Sequence, residues 1–289
     1  MMNGFLIVNK PLGYTSRDIV NLVCKELHTK KVGHTGTLDP KATGVLVLCV
    51  GKALKMAELM TEHDKEYIAE VILGIETNTL DMDQNSTIIR ETNVNVNKDK
   101  IIGVINSFKT KYMQEVPLYS SVKVNGKKLY EYARNNTPVD LPKKEVEIKD
   151  IKIIDDIITE NGKIYFKIKC IVSKGTYIRS LIRDVGNALN VPAVMNSLIR
   201  TRQGNFKIED SYTIDNIRNC TYKLVDIVDA FSEIPIVKVN KDVTKKISNG
   251  VILDKFFDNE MAFIIDESNN LLALYENVNN KSRPYKMFI

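Results

Sequence analysis

The stretch VGHTGTLDPKATGVLVLCVG, residues 32–51, displays a single carboxylate, Asp39, with glycines at 33, 36 and 44 and Pro40 directly behind it. Proline disfavours the helical region for the residue before it, so Asp39 is expected to be extended. The glycines permit tight turns or the close approach of another backbone. Val45–Val50 is a continuous apolar run of strand length, bounded by Gly44 and Gly51, which predicts a strand buried on both faces. A loop leading straight into such a strand holds its acid on a rigid support. A solvated turn would use the same residues. Both readings stand on these residues alone.

Outward from this stretch the pattern is mixed. Phe5–Val8 reads as a short strand ending at Asn9-Lys10-Pro11. Thr15-Ser16 offers an N-cap with Asp18 in the first turn, followed by Ile19, Val20, Val23 and Leu27 at helical spacing. Helices are predicted over 52–60, 97–108 and 177–189, the last with Ile178, Leu181, Ile182, Val185 and Leu189 on one stripe. Residues 66–73 predict a strand. Residues 145–157 and 163–173 alternate like neighbouring antiparallel strands, with Asn161-Gly162 as the turn. After Asp229, short apolar runs alternate with turn residues. The expected division is therefore residues 1–230 and a small β-rich unit at 231–289.

The 289 residues, 44% apolar and 27% charged, suit a soluble globular chain of about two domains. No run approaches the ~18 apolar residues of a membrane span, and the N-terminus lacks the charged region of a signal peptide. A cytoplasmic monomer with no membrane association is expected. The four cysteines are isolated and the three histidines unclustered, which argues against a disulfide framework and against bound metal. The net charge is +5. Residues 231–289 hold eight basic and eight acidic side chains, so the excess lies upstream. Residues 109–134 carry six basic and two acidic side chains, and residues 174–202 five and one. Such local excess suits a polyanion, although a solvated lysine-rich face has the same composition.

Three further segments carry candidate chemistry. In DKEYIAEVILG (64–74), alternation puts Tyr67 on one face with Ala69, Val71 and Leu73, offering a flat ring and a hydroxyl or simply core packing. In SKGTYIRSLIRDVG (173–186), Tyr177 and Arg179 fall in the first turn of a helix, where orphan N–H groups favour anions. Arginine is slightly unfavourable there, which predicts a carboxylate partner. In PLYSSVKVNGKKLYEYAR (117–134), Lys123, Lys127, Lys128 and Arg134 interleave with Tyr119, Tyr130 and Tyr132. Cations for phosphates and rings for bases are what looped RNA asks of a surface. An exposed amphipathic helix would look similar.

Taken in order, these segments resemble the TruB-type family of bacterial tRNA pseudouridine-55 synthases. The resemblance rests on Asn9-Lys10-Pro11, GHTGTLDPxATG at 33–44, KxY at 65–67, YSSVKVNGKKLYEYAR at 119–134, SKGTYIRS at 173–180 and SLIRT at 197–201. Leu54, Val116 and Ser121 depart from the family's usual residues, outside the positions that carry chemistry. The resemblance implies an α+β fold: a pseudouridine synthase core with a mixed, largely antiparallel sheet flanked by helices, plus a small PUA-like C-terminal domain. It implies isomerisation of the T-loop uridine of tRNA, without cofactor or metal. It makes Asp39 the catalytic carboxylate, Arg179 its partner and Tyr67 the ring that stacks on uracil and helps remove the C5 proton. Tyr177 and Leu198 would line the base pocket, and His34 would fill the stack left by the flipped nucleotide. Without the resemblance, His34 reads as a capped loop histidine. Lys10, Lys123, Lys127 and Lys128 are expected to bind substrate, the last three on a mobile thumb at 117–143.

A non-catalytic RNA-binding module is the competing class. The Asp39–Arg179 combination argues against it, since binding an RNA backbone needs no carboxylate. A guide-dependent synthase is a third reading, opposed by the charge-balanced C-terminal region and the lack of a lysine-rich tail. The expected partner is the tRNA T stem-loop, with no guide RNA.

Overall fold

A computed structural model describes residues 2–83 and 86–289 of the chain. Strand β1 (Gly4–Lys10) leads into helix α1 (Ser16–Glu26). Thr15 caps α1: its hydroxyl accepts from the Asp18 amide, and the Asp18 carboxylate accepts from the Thr15 amide. Two donors at the helix start are thus satisfied reciprocally. β2 (Val32–His34) and β3 (Thr43–Val50) flank the Asp39 loop. The helix predicted over 52–60 divides, because Gly51–Met56 winds as a tighter 3₁₀ turn and only α2 (Ala57–Glu62) is α-helical. β4 (Lys65–Leu73), the paired β5 (Ile75–Thr77) and β6 (Ile88–Glu91), α3 (Lys98–Ser107) and β7 (Lys111–Glu115) follow.

The basic, tyrosine-rich segment folds as a small hairpin, β8 (Lys123–Val124) and β9 (Lys127–Lys128), followed by helix α4 (Leu129–Arg134). Asn125 and Gly126, both at positive φ, turn the hairpin. β10 (Lys143–Ile153), β11 (Ile158–Glu160), β12 (Lys163–Val172), α5 (Ile178–Leu189), β13 (Ala193–Gln203), β14 (Phe206–Lys207) and α6 (Ile214–Arg218) come next. The last part holds β15 (Ile236–Lys238), α7 (Lys241–Ser248), β16 (Leu253–Asp254), β17 (Met261–Ile265), β18 (Leu271–Val278) and β19 (Lys281–Met287).

The large sheet runs β1-β3-β13-β4-β12-β10-β7. Its β3–β13 contact is parallel and the others along this path are antiparallel. One face of β4 presents Tyr67, Ala69, Val71 and Leu73 to a core shared with α1, α3 and α5. On the other face of the sheet, Phe5 and Ile7 of β1 and Val45, Val47 and Cys49 of β3 belong to a second cluster. Strand β3 is buried on both faces as its unbroken apolar run predicts. The C-terminal sheet, ordered β15-β17-β18-β19-β16, has its own small core around Tyr275 and Ile247. Its Phe263, Leu274 and Phe288 reach into the second cluster beside Phe5, Phe206 and Phe231, so apolar packing runs across the division expected near residue 230. No described helix is long and apolar enough to cross a membrane.

Candidate active site

The loop bearing Asp39 is pinned on several sides. Ser16, the first residue of α1, accepts a hydrogen bond from the Leu38 amide at 2.8 Å and donates to the Leu38 carbonyl at 3.1 Å. The Asp39 carbonyl accepts from Ala42 N–H, and the Pro40 carbonyl from Gly13 N–H. Lys10 is fully buried beneath the loop, its ammonium donating to the carbonyls of Pro11, Tyr14 and Pro40. The expectation that Lys10 binds substrate does not fit this placement, because all its donors are turned inward to the backbone. Lys10 braces the catalytic-loop candidate instead, and burial pushes its ammonium down to about 8.

A cavity of about 410 Å³ opens over this loop, lined by Asp39, Tyr67, Tyr177, Arg179, Leu198 and Arg200 among others. Asp39 Oδ2 lies 3.0 Å from Arg179 Nη2. The guanidinium is buried, whereas the Asp39 side chain is 41% exposed, so the carboxylate stands at an open mouth and not on a dry floor. Arg179 does not grip it with both prongs. Nη1 donates to the Thr79 carbonyl at 3.0 Å, and Nη2 also donates to the Tyr119 carbonyl at 3.1 Å. One side chain thereby ties the Asp39 loop, the turn after β5 and the base of the thumb. Its helix start is fixed from β7, where buried Gln114 accepts the Tyr177 amide at 2.8 Å and the Glu115 carbonyl accepts the Ser180 hydroxyl.

Two neighbours were not singled out by the sequence. Asp81 is buried, with one carboxylate oxygen 3.9 Å from Lys41 Nζ, and desolvation pushes it up to about 6. Nothing in the run LDMDQ distinguishes it from a turn acid. Arg200 is also buried, on β13 directly opposite Tyr67, with Nη1 3.4 Å from the Tyr67 hydroxyl. Period-two alternation from Leu198 was the signal that could have found it. Lys65, buried with its ammonium bonded to the Thr61 and His63 carbonyls, is likewise pushed down to about 8, chiefly by burial.

The remaining predicted residues lie around the cavity rather than in its lining. His34 sits half-buried on β2, with Nδ1 buried and without a hydrogen-bond partner among the described residues. Burial, with Arg17 and Arg200 nearby, holds its imidazole below the usual range, which favours the neutral ring. Lys123 and Lys127 are exposed on the thumb hairpin, and Lys128 Nζ lies 5.4 Å from the centre of the Tyr130 ring. Arg134 faces that ring at 5.3 Å, and Tyr130 itself lines the cavity.

A buried arginine paired with a loop aspartate lines one cavity with a strand tyrosine. Residues 25–178 match the N-terminal domain of the TruB family of pseudouridylate synthases. The chain belongs to this family. It is 39% identical over 287 residues to tRNA pseudouridine synthase B of Bacillus subtilis (strain 168), covering 95% of this chain and 93% of that protein. It is 41% identical over 288 residues to tRNA pseudouridine synthase B of Staphylococcus aureus (strain MRSA252), covering 95% and 94%. The TruB-type fold also superposes on a chain from an H/ACA ribonucleoprotein bound to a substrate RNA, with a TM-score of 0.69 at 23% identity, over 99% of this chain and 85% of that one. A chain of a Cbf5-Nop10-Gar1 complex gives 0.68 at 24%, over 99% and 83%. At such identities the likeness speaks for the fold.

Proposed function

We propose that this TruB-family protein converts the uridine at position 55 in the T-loop of tRNA to pseudouridine, acting alone and without guide RNA. The observation that carries the reading is the Asp39–Arg179 pair at 3.0 Å in a cavity shared with Tyr67, Tyr177 and Leu198. The names of its relatives at 39–41% identity supply the RNA class.

The reaction is an isomerisation. The flipped uridine enters the cavity, at a cost of a few kcal/mol in lost stacking. Its base lies on the Tyr67 ring, bounded by Leu198 and Tyr177. Asp39 assists cleavage of the N1–C1′ bond from the ribose side of the cavity mouth. The base turns, C5 bonds to C1′, and the C5 proton passes to the Tyr67 hydroxyl oxygen as that hydroxyl gives its own proton to water, which returns one to N1. The electron pair of that C–H bond restores the C5=C6 double bond while N1 gains a proton, so atoms and charge balance. Arg179 holds the carboxylate against the cavity as the base moves. His34 occupies the stack from which the nucleotide departs. Lys123, Lys127 and Lys128 contact phosphates from the thumb (117–143), and residues 231–289 form a PUA-like RNA-binding unit.

Incubating the protein alone with an unmodified tRNA transcript, then mapping pseudouridine, tests this. Product at position 55 without guide RNA is the expected result. Product only with a guide, or none at all, overturns it.

A further inference from the structure

Arg200 is 1% exposed and forms no ion pair with a carboxylate among the described residues. Desolvating an unpaired guanidinium costs several kcal/mol, and an apolar side chain of similar volume would serve a purely structural position better. Its donors go to three places. Nε donates to the Val45 carbonyl at 2.7 Å, Nη2 to the Gly36 carbonyl at 3.0 Å, and Nη1 lies 3.4 Å from the Tyr67 hydroxyl. Gly36 lies near the start of the Asp39 loop, and Val45 in β3 just past its end. Arg200 stands opposite Gly44 on one side and Tyr67 on the other, beside a β-bulge at Arg200–Arg202. Bulges of this kind re-aim side chains.

The glycines of the loop fit around it. A Cβ at Gly44, whose φ is +97°, would lie 2.3 Å from the Arg200 carbonyl oxygen, and one at Gly36 would lie 3.3 Å from Nη1. Gly44 thus makes room for the β13 backbone at residue 200, and Gly36 for the guanidinium that this residue carries.

We propose that Arg200 is a positioning residue of the reaction: its guanidinium fixes both ends of the Asp39 loop and the Tyr67 hydroxyl as one unit, so that carboxylate and ring keep their spacing while the base turns between them. This rests on the activity proposed above. Because the nitrogen bonded to Tyr67 donates to the hydroxyl oxygen, the hydroxyl's own hydrogen is directed elsewhere, and the face of the oxygen toward the cavity is fixed. A lysine point charge cannot reproduce three divergent donors in a plane.

The test measures single-turnover pseudouridine formation at saturating enzyme, and tRNA affinity separately, for Arg200→Lys, Tyr67→Phe and the double variant. Misplacement near the reacting atoms costs about 10²-fold in rate, so Arg200→Lys should lose about that much while affinity stays within about twofold. In the Tyr67→Phe background the loss from Arg200→Lys should be about tenfold smaller, as expected of groups that act together. Losses that simply multiply, or an affinity that falls as far as the rate, would overturn the proposal. If Arg200→Lys fails to fold, Gly36→Ala presses a methyl on the guanidinium with every charge retained. It should slow the bound-state rate without changing affinity or melting temperature, and an unchanged rate overturns the proposal. Wild-type protein that makes no pseudouridine would instead refute the activity itself.

Discussion

At the scale of single residues, the site is a division of labour between groups that meet solvent and groups that do not. Asp39 is open at the cavity mouth, and its three supports, Arg179, Lys10 and Arg200, are buried cations. Asp39→Asn keeps the shape of the loop and removes only the charge. Single-turnover product formation should fall by more than about 10³-fold, the scale on which loss of a chemical group acts, with tRNA affinity nearly unchanged. Retention of a substantial fraction of the rate would reduce the loop to a turn. Arg179→Lys should fail for a reason visible only in the structure. The guanidinium serves Asp39, Thr79 and Tyr119 at once, and one ammonium cannot span the three. Lys10 allows a different check. Its ammonium is depressed from 10.5 to about 8 in the folded chain, first by burial, so between those values the unfolded chain binds more protons. Stability contributed by this group is present above 10.5 and is lost as pH falls through about 8. The stability of the wild type relative to Lys10→Met should therefore rise with pH across that window, by up to about 3 kcal/mol. Urea unfolding at a series of pH values measures it; a flat difference would mean that the buried ammonium is not depressed.

At the scale of elements, the strands and helices that carry the site were legible wherever one face meets one core. Residues 5–8, 45–50 and 66–73 read as strands because burial imposes either alternation or an unbroken apolar run, and the structure extends them to Gly4–Lys10, Thr43–Val50 and Lys65–Leu73. Helix α5 read from its apolar stripe. The predicted gathering of Asp39, Tyr67, Tyr177, Arg179 and Leu198 is met by the cavity lining. Arg200 and Asp81 escaped because their partners, Tyr67 across the sheet and Lys41 in the Asp39 loop, lie far away in sequence. Lys10 was misread for the same reason: nothing local says that a lysine beside a proline points inward. The segment at 117–143 buries Leu129 but exposes Lys123 and Lys127. If both contact phosphate, alanine at each should flatten the log–log salt dependence of tRNA binding by about one unit per residue. An unchanged slope would move the RNA surface elsewhere.

At the scale of the molecule, the question is whether residues 231–289 are a separable unit. Composition and charge change near 230, yet the C-terminal sheet sends Phe263, Leu274 and Phe288 into a cluster with Phe5, Ile7, Met56, Phe206 and Phe231. Phe231 lies 5.8 Å from Phe5 and 6.4 Å from Phe263, ring centre to ring centre, bridging the first strand of the large sheet and the second sheet. Phe263 is completely buried. Replacing it by alanine should cost about 3–5 kcal/mol, the range for truncating a buried phenylalanine. Where that loss is felt decides the architecture. If the cluster couples the two sheets, calorimetry of Phe263→Ala should show one transition shifted down as a whole, and hydrogen exchange should rise in β1 and β3 as well as in β17. Two transitions, with only the C-terminal one displaced, would instead mark residues 231–289 as an independent domain resting on the first. In the coupled case, deletion at residue 230 removes Phe263, Leu274 and Phe288 from over Phe5 and Phe231 and leaves those rings facing water. Such a truncated chain should lose solubility, and a fall in its RNA binding would report unfolding rather than a missing contact.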